Sequence, residues 1–339
     1  MLNPFATDAF NLVTLSSAIN IMPNNYGRLR ELNLFPGVGV RTRSIIVEEL
    51  NGILNLLPTR PVGSPGTMAQ REKRNVRSFV IPHIPHDDWI DPSEYDGIRA
   101  FGTENQIAAL AQVVNNHLQS ARNKHAITLE HLRMGALKGL ILDADGSTLY
   151  NLFTEFGITK KITYFALATD TTNVQSKCFE VSRHIEDNLK GEVMTGVHAL
   201  VSSTFFDGLI AHPLVREVYA GHAAAIQYMG GDPRKKFVFG GITFEEYRGT
   251  ATDLAGTARP FITAGKGIAF PMGTNDTFKT NFAPADFLET VNTLGLEIYA
   301  KQKPSKFDRG IDLHTQSNPL PLCLRPGVLV ELDLAASAG

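Results

Sequence analysis

The sequence predicts an α+β protein whose chain makes long excursions away from a folded core. Two β-branched, apolar segments between Arg41 and Pro85 flank a tip rich in Pro, Gly and Ser. Apolar residues then recur at helical spacing from Glu104 to about Leu137, and short strand-like runs are scattered through the C-terminal half. Val, Ile and Phe suit a pleated surface, whereas Pro58, Pro61, Gly63, Pro65 and Gly66 cannot continue a strand. A long hairpin arm is expected, its first limb (Thr42 to Leu57) reaching roughly 50 Å at ~3.3 Å per residue. A globular domain cannot cover such an arm, so its apolar side chains and open edges call for another chain.

The elements follow in order. Residues 1–40 mix short apolar clusters with Pro4, Pro23 and Pro36 and read as an arm, with Ser16 to Met22 as a short helix or extended segment. The hairpin follows, then an acidic turn carrying Asp87, Asp88, Asp91, Glu94 and Asp96. Thr103 and Gln106 match a capping box. Ile107, Leu110, Val114, Leu118 and Ala121 then mark the buried stripe of a helix of about 50 Å at ~1.5 Å per residue, with a break at His125 to Thr128 left open. Leu140 to Tyr150 reads as a short hairpin turning at Asp145-Gly146. Thr171 to Lys190 reads as a second helix, buried through Val174, Cys178, Val181, Ile185 and Leu189, with Asp170 as its cap and Gly191 as its end. Strands are expected at Val197–Ser202, Gly267–Phe270, Leu296–Gln302, Ile311–Gln316 and Val328–Leu332. Two short helices are expected at Thr204–Ala211 and Pro213–Tyr219. Phe237 to Arg248 reads as a strand pair or one bent strand, with Gly240-Gly241 as a bulge.

The chain has 339 residues, enough for one large or two ordinary domains. Charged residues make up 19%, below the usual ~25%, so much of the surface is expected to lie in contacts. A net charge of -2 argues against a continuous basic face for nucleic acid. Cys178 and Cys323 are the only cysteines, too few for a disulfide scaffold, which favours a reducing compartment. No apolar run approaches the ~20 residues of a membrane span, and the first residues lack the pattern of a signal peptide. Synthesis in the cytosol is the expectation.

Catalytic chemistry finds little support. His83, His86, Asp87 and Asp88 are metal-ligand types, but Pro82 and Pro85 exclude a helical zinc site. Asp143 and Asp145 resemble the start of a calcium loop that lacks its remaining ligands. No nucleophile elbow, P-loop or dinucleotide fingerprint follows a strand. No catalytic, cofactor-binding or metal residue is assigned, and no enzyme activity or cofactor is expected. The basic run is different. Arg60, Arg71, Lys73, Arg74 and Arg77 sit at or just beyond the hairpin tip, without the interleaved aromatics of a single-strand binder. Solvated edge protection is one reading; contact with Asp87, Asp88 or Glu94 of a neighbouring subunit is the preferred one.

Several stretches resemble one family. Leu34-Phe-Pro-Gly-Val-Gly-Val-Arg-Thr-Arg-Ser-Ile-Ile-Val-Glu and Phe79-Val-Ile-Pro-His-Ile-Pro-His-Asp-Asp resemble the two ends of the extended loop in the phage lambda-type major capsid proteins (capsid protein E family) of tailed bacteriophages. Gly97 to Glu104 and Thr128 to Gly139 resemble the limits of that family's spine-helix region. Phe244-Glu-Glu-Tyr-Arg-Gly, Phe282-Ala-Pro-Ala-Asp-Phe and His314-Thr-Gln-Ser-Asn-Pro-Leu-Pro-Leu complete a pattern running nearly end to end. The resemblance implies the Hong Kong 97-like capsid fold. It divides the chain into an N-terminal arm (1–40), an extended loop (41–86), a peripheral domain with the spine helix (87–165), an axial domain (166–295) and C-terminal strands returning to the peripheral domain (296–339). It implies self-assembly through pentamers and hexamers into an icosahedral head enclosing double-stranded DNA without sequence-specific binding. Separate scaffold, decoration and portal proteins would be further partners, and the virion the final location. An encapsulin-like compartment of the same fold, a phage tail-tube protein and an enzyme are the alternatives.

Overall fold

A computed structural model describes residues 11–22, 27–50, 74–95, 106–228, 232, 236–252, 256–306 and 309–337. The chain forms two compact units, each assembled from three separate stretches.

The first unit comprises residues 1–45, 80–133 and 279–322. Its centre is an antiparallel sheet of three strands, Tyr299–Pro304, Ile311–Ser317 and Ile84–Ile90, with Ile311–Ser317 in the middle. The last of these corrects the sequence reading. His86, Asp87 and Asp88 lie on a strand, not in an acidic turn, and only Pro92–Tyr95 beyond it turns into a short helix. Pro85 obscured the strand, but Ile84–Ile90 is an edge, where a missing N–H costs no ladder bond. The strand alternates in exposure and ends on the buried Ile90.

The spine helix runs from Gln106 to Lys138, 33 residues without a break at His125–Thr128. Ala126 and Leu129 are buried there and carry the apolar stripe through. Residues 106–133 belong to the first unit. Val114, Leu118 and Ala121 join Ile90, Ile298, Ala300, Ile311 and Leu313 in one core cluster. Leu15 and Ile19 enter the same cluster from a helix spanning Leu12–Ile21, which starts where Asn11 Oδ1 accepts a hydrogen bond from Thr14 N at 2.8 Å. The expected capping residue Thr103 lies outside the described residues, as do the side chains of Ile107 and Leu110.

A second three-stranded sheet, Gly37–Gly39, Phe278–Phe282 and Pro319–Cys323, was not foreseen at any of its strands. Pro319 and Pro321 argue against a strand in a sequence, yet the last of the three is a buried edge.

The second unit comprises residues 46–79, 134–278 and 323–339. Its six-stranded mixed sheet has the order Lys161–Tyr164, Val330–Asp333, Lys266–Met272, Gly196–Val201, Ile242–Glu246, Phe237–Phe239. Gly196–Val201 is central and buried almost throughout, which explains its continuous apolar run. Helix Val174–Asn188 buries Val174, Cys178, Val181 and Ile185, the stripe expected from its periodicity. Its cap is Asn173, whose Oδ1 accepts from Ser176 N at 2.9 Å. Asp170 is displaced from that role by a preceding turn, in which Thr172 N donates to Thr169 O. The helix is left through Lys190 (φ 51°) and Gly191 (φ 86°). Gly240 and Gly241 form a two-residue hairpin turn, not a bulge. Ile242 pairs directly with Phe239, and both glycines have positive φ, as the right-handed twist of a hairpin demands. Helices at Ser203–Ala211 and Pro213–Tyr228 follow the central strand, the second longer than expected.

Of the predicted arm, the strands Ser44–Leu50 and Arg74–Val80 pair with each other, and Ile81 N donates to Arg43 O below them. Residues 51–73, including the predicted tip, lie outside the described residues. Ile46, Val76 and Val80 are each more than 60% exposed, so the described part of the arm does carry uncovered apolar side chains.

Candidate functional site

The acidic strand and the spine helix meet inside the first unit. On Ile84–Ile90, His86, Asp88 and Ile90 share the face that includes the buried Ile90. On the helix, His117 borders the buried stripe, three residues after Val114 and four before Ala121, and Lys124 lies two turns further on. His117 Nδ1 stands 2.7 Å from Asp88 Oδ2 and Nε2 stands 2.8 Å from Glu94 Oε2. Both ring nitrogens face carboxylates, so the arrangement is satisfied when the imidazole carries two protons and donates from both. Burial pulls the His117 pKa down, but its bonds to Asp88 and Glu94 outweigh that and hold it above the ordinary imidazole value. Asp88 is held low: burial opposes ionisation, and the bonds from His117 and from Trp89 N–H prevail. Glu94 is also held low, first by His117 and then by Asp91 N–H.

Further along, Lys124 Nζ lies 3.1 Å from His86 Nε2, and the His86 ring meets His125 edge-on. Burial lowers the pKa of His125 to about 4, with His86 and His314 adding repulsion. Its Nε2 lies 3.1 Å from Thr315 Oγ1. This histidine is a neutral core residue.

The predicted contact residues separate into three groups. Arg60, Arg71 and Lys73 lie outside the described residues, and Arg74 opens a strand but its side chain is not among those described. Arg77 is engaged within its own unit, where Nε donates to Glu155 O at 2.6 Å and the guanidinium lies 4.7 Å from the Phe156 ring centre. Asp88 and Glu94 are held by His117. Asp87, on the opposite face of the strand, has a side chain 81% exposed and touches His314 Nδ1 at its edge. His117 and Trp89 escaped the sequence reading, whereas His314 lies in the strand expected at Ile311–Gln316. The available signal was the helical period, which places His117 and Lys124 together at the margin of the stripe.

The residues considered for chemistry have structural employment. His83 Nδ1 lies 2.9 Å from Asn318 Oδ1. Asp143 and Asp145 accept from Ala144 N and Ser147 N and so close their own turn. Cys178 and Cys323 are buried, and burial pushes both thiols up to about 12, far from a reactive thiolate. Among the described residues no group of three or more His, Cys, Asp or Glu is arranged to hold a metal ion. No described helix is long and apolar enough to cross a membrane.

The model of the phage major capsid protein E family matches residues 11–334. This chain belongs to that family. It is 30% identical to the major capsid protein of Salmonella phage Felix O1, with both chains covered completely. It is 31% identical to that of Pseudomonas phage KPP10, covering 97% of this chain and 98% of the relative. Among solved structures it resembles a prophage protein of E. coli CFT073 at 16% identity and TM-score 0.61, with 96% and 99% of the two chains covered. It also resembles the capsid of an empty GTA particle at 9% identity and TM-score 0.50, with 99% and 100% covered. Those likenesses establish the Hong Kong 97-like fold and agree with the motif resemblance from Leu34 to Leu322. As a member of the phage major capsid protein E family, the chain is a structural subunit of the virion that assembles with copies of itself.

Proposed function

We propose that this capsid protein closes into an icosahedral head through pentamers and hexamers and encloses double-stranded DNA without reading its sequence. Family membership over residues 11–334 carries the reading. The exposed apolar side chains of the arm support it, because a surface of that kind needs a neighbouring chain. A net charge of -2 suits a wall that contains DNA without gripping it. The same reading assigns the chain no enzyme activity and places its synthesis in the host cytoplasm, with separate scaffold, decoration and portal proteins as partners. The division into an N-terminal arm, an extended loop, a peripheral domain and an axial domain belongs to the same proposal. Arg71, Lys73 and Arg74 are proposed to contact the acidic strand of a neighbouring subunit, with Arg60 and Arg77 nearby. Electron microscopy of the purified protein tests the reading. Closed shells with five-fold and six-fold clusters are expected. Tubes, or particles filled with a protein cargo in place of the phage genome, would reject it.

A further inference from the structure

The outer face of the three-stranded sheet in the first unit carries a built surface. Register places Trp89 beside Asp312 and Asp87 beside His314, and directly opposed residues of an antiparallel pair share a face. Trp89 is 47% exposed, Asp87 projects into solvent and Asp312 is exposed. The indole lies against Gly310, where an added Cβ would stand 2.5 Å from Trp89 Nε1. Asp87, Trp89, Asp312 and His314, with Asp88 and Leu313, line an open groove of about 590 Å³. On the far strand Lys303 stands opposite Asp312 and Lys301 opposite His314. Lys301 is taken up by Glu289 at 2.9 Å, so the acidic character concentrates on the Trp89 side. Ile84–Ile90 is moreover an edge of its sheet.

An aromatic face flanked by carboxylates suits a cation with an apolar stem, and guanidinium best of all: it stacks on indole and pairs with carboxylate in one pose. The chain supplies such groups in Arg71, Lys73 and Arg74, three bases within four residues. Resting on the shell reading above, we infer that the groove around Trp89 receives the Arg71–Arg74 segment of a second copy, with Asp87 and Asp312 as its carboxylate partners. Asp88 and Glu94 remain with His117. This moves the acceptor from the acidic stretch as a whole to one face of one strand, and adds Trp89 and Asp312 to it.

Trp89 is the only tryptophan of the chain, so its fluorescence reports this site alone. Acrylamide quenching is measured on unassembled subunits and on shells verified by microscopy. Docking predicts a roughly twofold or greater fall in quenching on assembly, since contact residues lose water. It also predicts that shells of the Arg71→Gln, Lys73→Gln, Arg74→Gln variant lack most of that protection. Should that variant not assemble, wild-type shells mixed from ¹⁴N and ¹⁵N copies are treated with a carbodiimide. Mixed-isotope peptides joining Lys73 to Asp87 or Asp312 are then expected. Shells in which Trp89 stays as quenchable as in free subunits would overturn the docking while leaving the shell reading intact. So would links confined to single copies, or links that reach Asp87 and Asp312 only from lysines other than Lys73. Absence of particles under every condition would remove the shell reading itself, and the docking with it.

Discussion

His117 on the spine helix and Asp88 on the acidic strand lie 2.7 Å apart, and Glu94 closes on the other ring nitrogen at 2.8 Å. The pair joins elements 29 residues apart in sequence. It gives the first unit a pH dependence whose sign follows from the shifts. His117 is raised, so its contribution is complete below the unfolded imidazole value of ~6.5 and is lost as pH rises through its folded value. Asp88 and Glu94 are lowered, so theirs are complete above the ordinary carboxylate values and are lost as pH falls through the folded ones. The clasp is strongest on the mildly acidic side of neutrality. His117→Gln should cost about 1 kcal/mol there, because the Glu94 carboxylate is 41% exposed and solvent weakens its share. Melting of both proteins from pH 5 to 9 checks this. The difference should shrink as pH rises, and a constant difference would count against a protonated clasp.

Leu118 is fully buried where the spine helix meets the sheet. Leu118→Ala removes its apolar surface and leaves a void among side chains fixed by strands on one side and helix Leu12–Ile21 on the other. The expected cost is about 2–5 kcal/mol, read as a lower denaturant midpoint with an unchanged slope. Leu118→Met keeps most of the volume and should recover the greater part of the loss.

Gly240 combines a φ of 56° with a close approach to Cys178, whose Cβ would lie 2.5 Å from an added methyl. Gly240→Ala therefore meets both left-handed strain and a clash with helix Val174–Asn188. A loss of about 1–3 kcal/mol is expected. Gly241→Ala has positive φ too, but no neighbour within 4 Å of its added carbon, so it should cost less. Equal losses at the two positions would remove the close approach from the explanation.

The elements legible in the sequence were those fixed by local period. The spine helix and the stripe Val174, Cys178, Val181, Ile185 follow from 3.6-residue spacing, and Gly196–Val201 from its unbroken apolar run. Pro319–Cys323 and Ile84–Ile90 were hidden because their prolines contradict a strand locally, and only sheet order shows both to be edges. Asn173 took the cap from Asp170 through a turn that no spacing rule reveals. The basic and acidic runs were visible as composition. That Asp88 and Asp87 point to opposite faces, one to His117 and one outward beside His314, depends on strand register and pairing across more than 200 residues, which charge patterns do not encode.

That opposition separates two neighbouring carboxylates by experiment. Asp88→Asn removes the charge that holds His117 and should lower the melting temperature of the unassembled subunit most clearly between about pH 5 and 6.5. Asp87→Asn changes a group 81% exposed, so subunit stability should move by no more than ~0.5 kcal/mol. Its effect should fall on assembly instead, because each copy in a shell repeats the contact. The proposed partners are charged and rim-exposed, so the defect should be largest at low ionic strength and fade towards 1 M salt, where the screening length falls to about 3 Å. Light scattering during assembly, run beside thermal melts of the free subunit, tests both variants at once. An Asp87→Asn protein that assembles at the wild-type rate at every salt concentration would exclude Asp87 from the contact. One that melts as early as Asp88→Asn would show that its role is internal to the subunit.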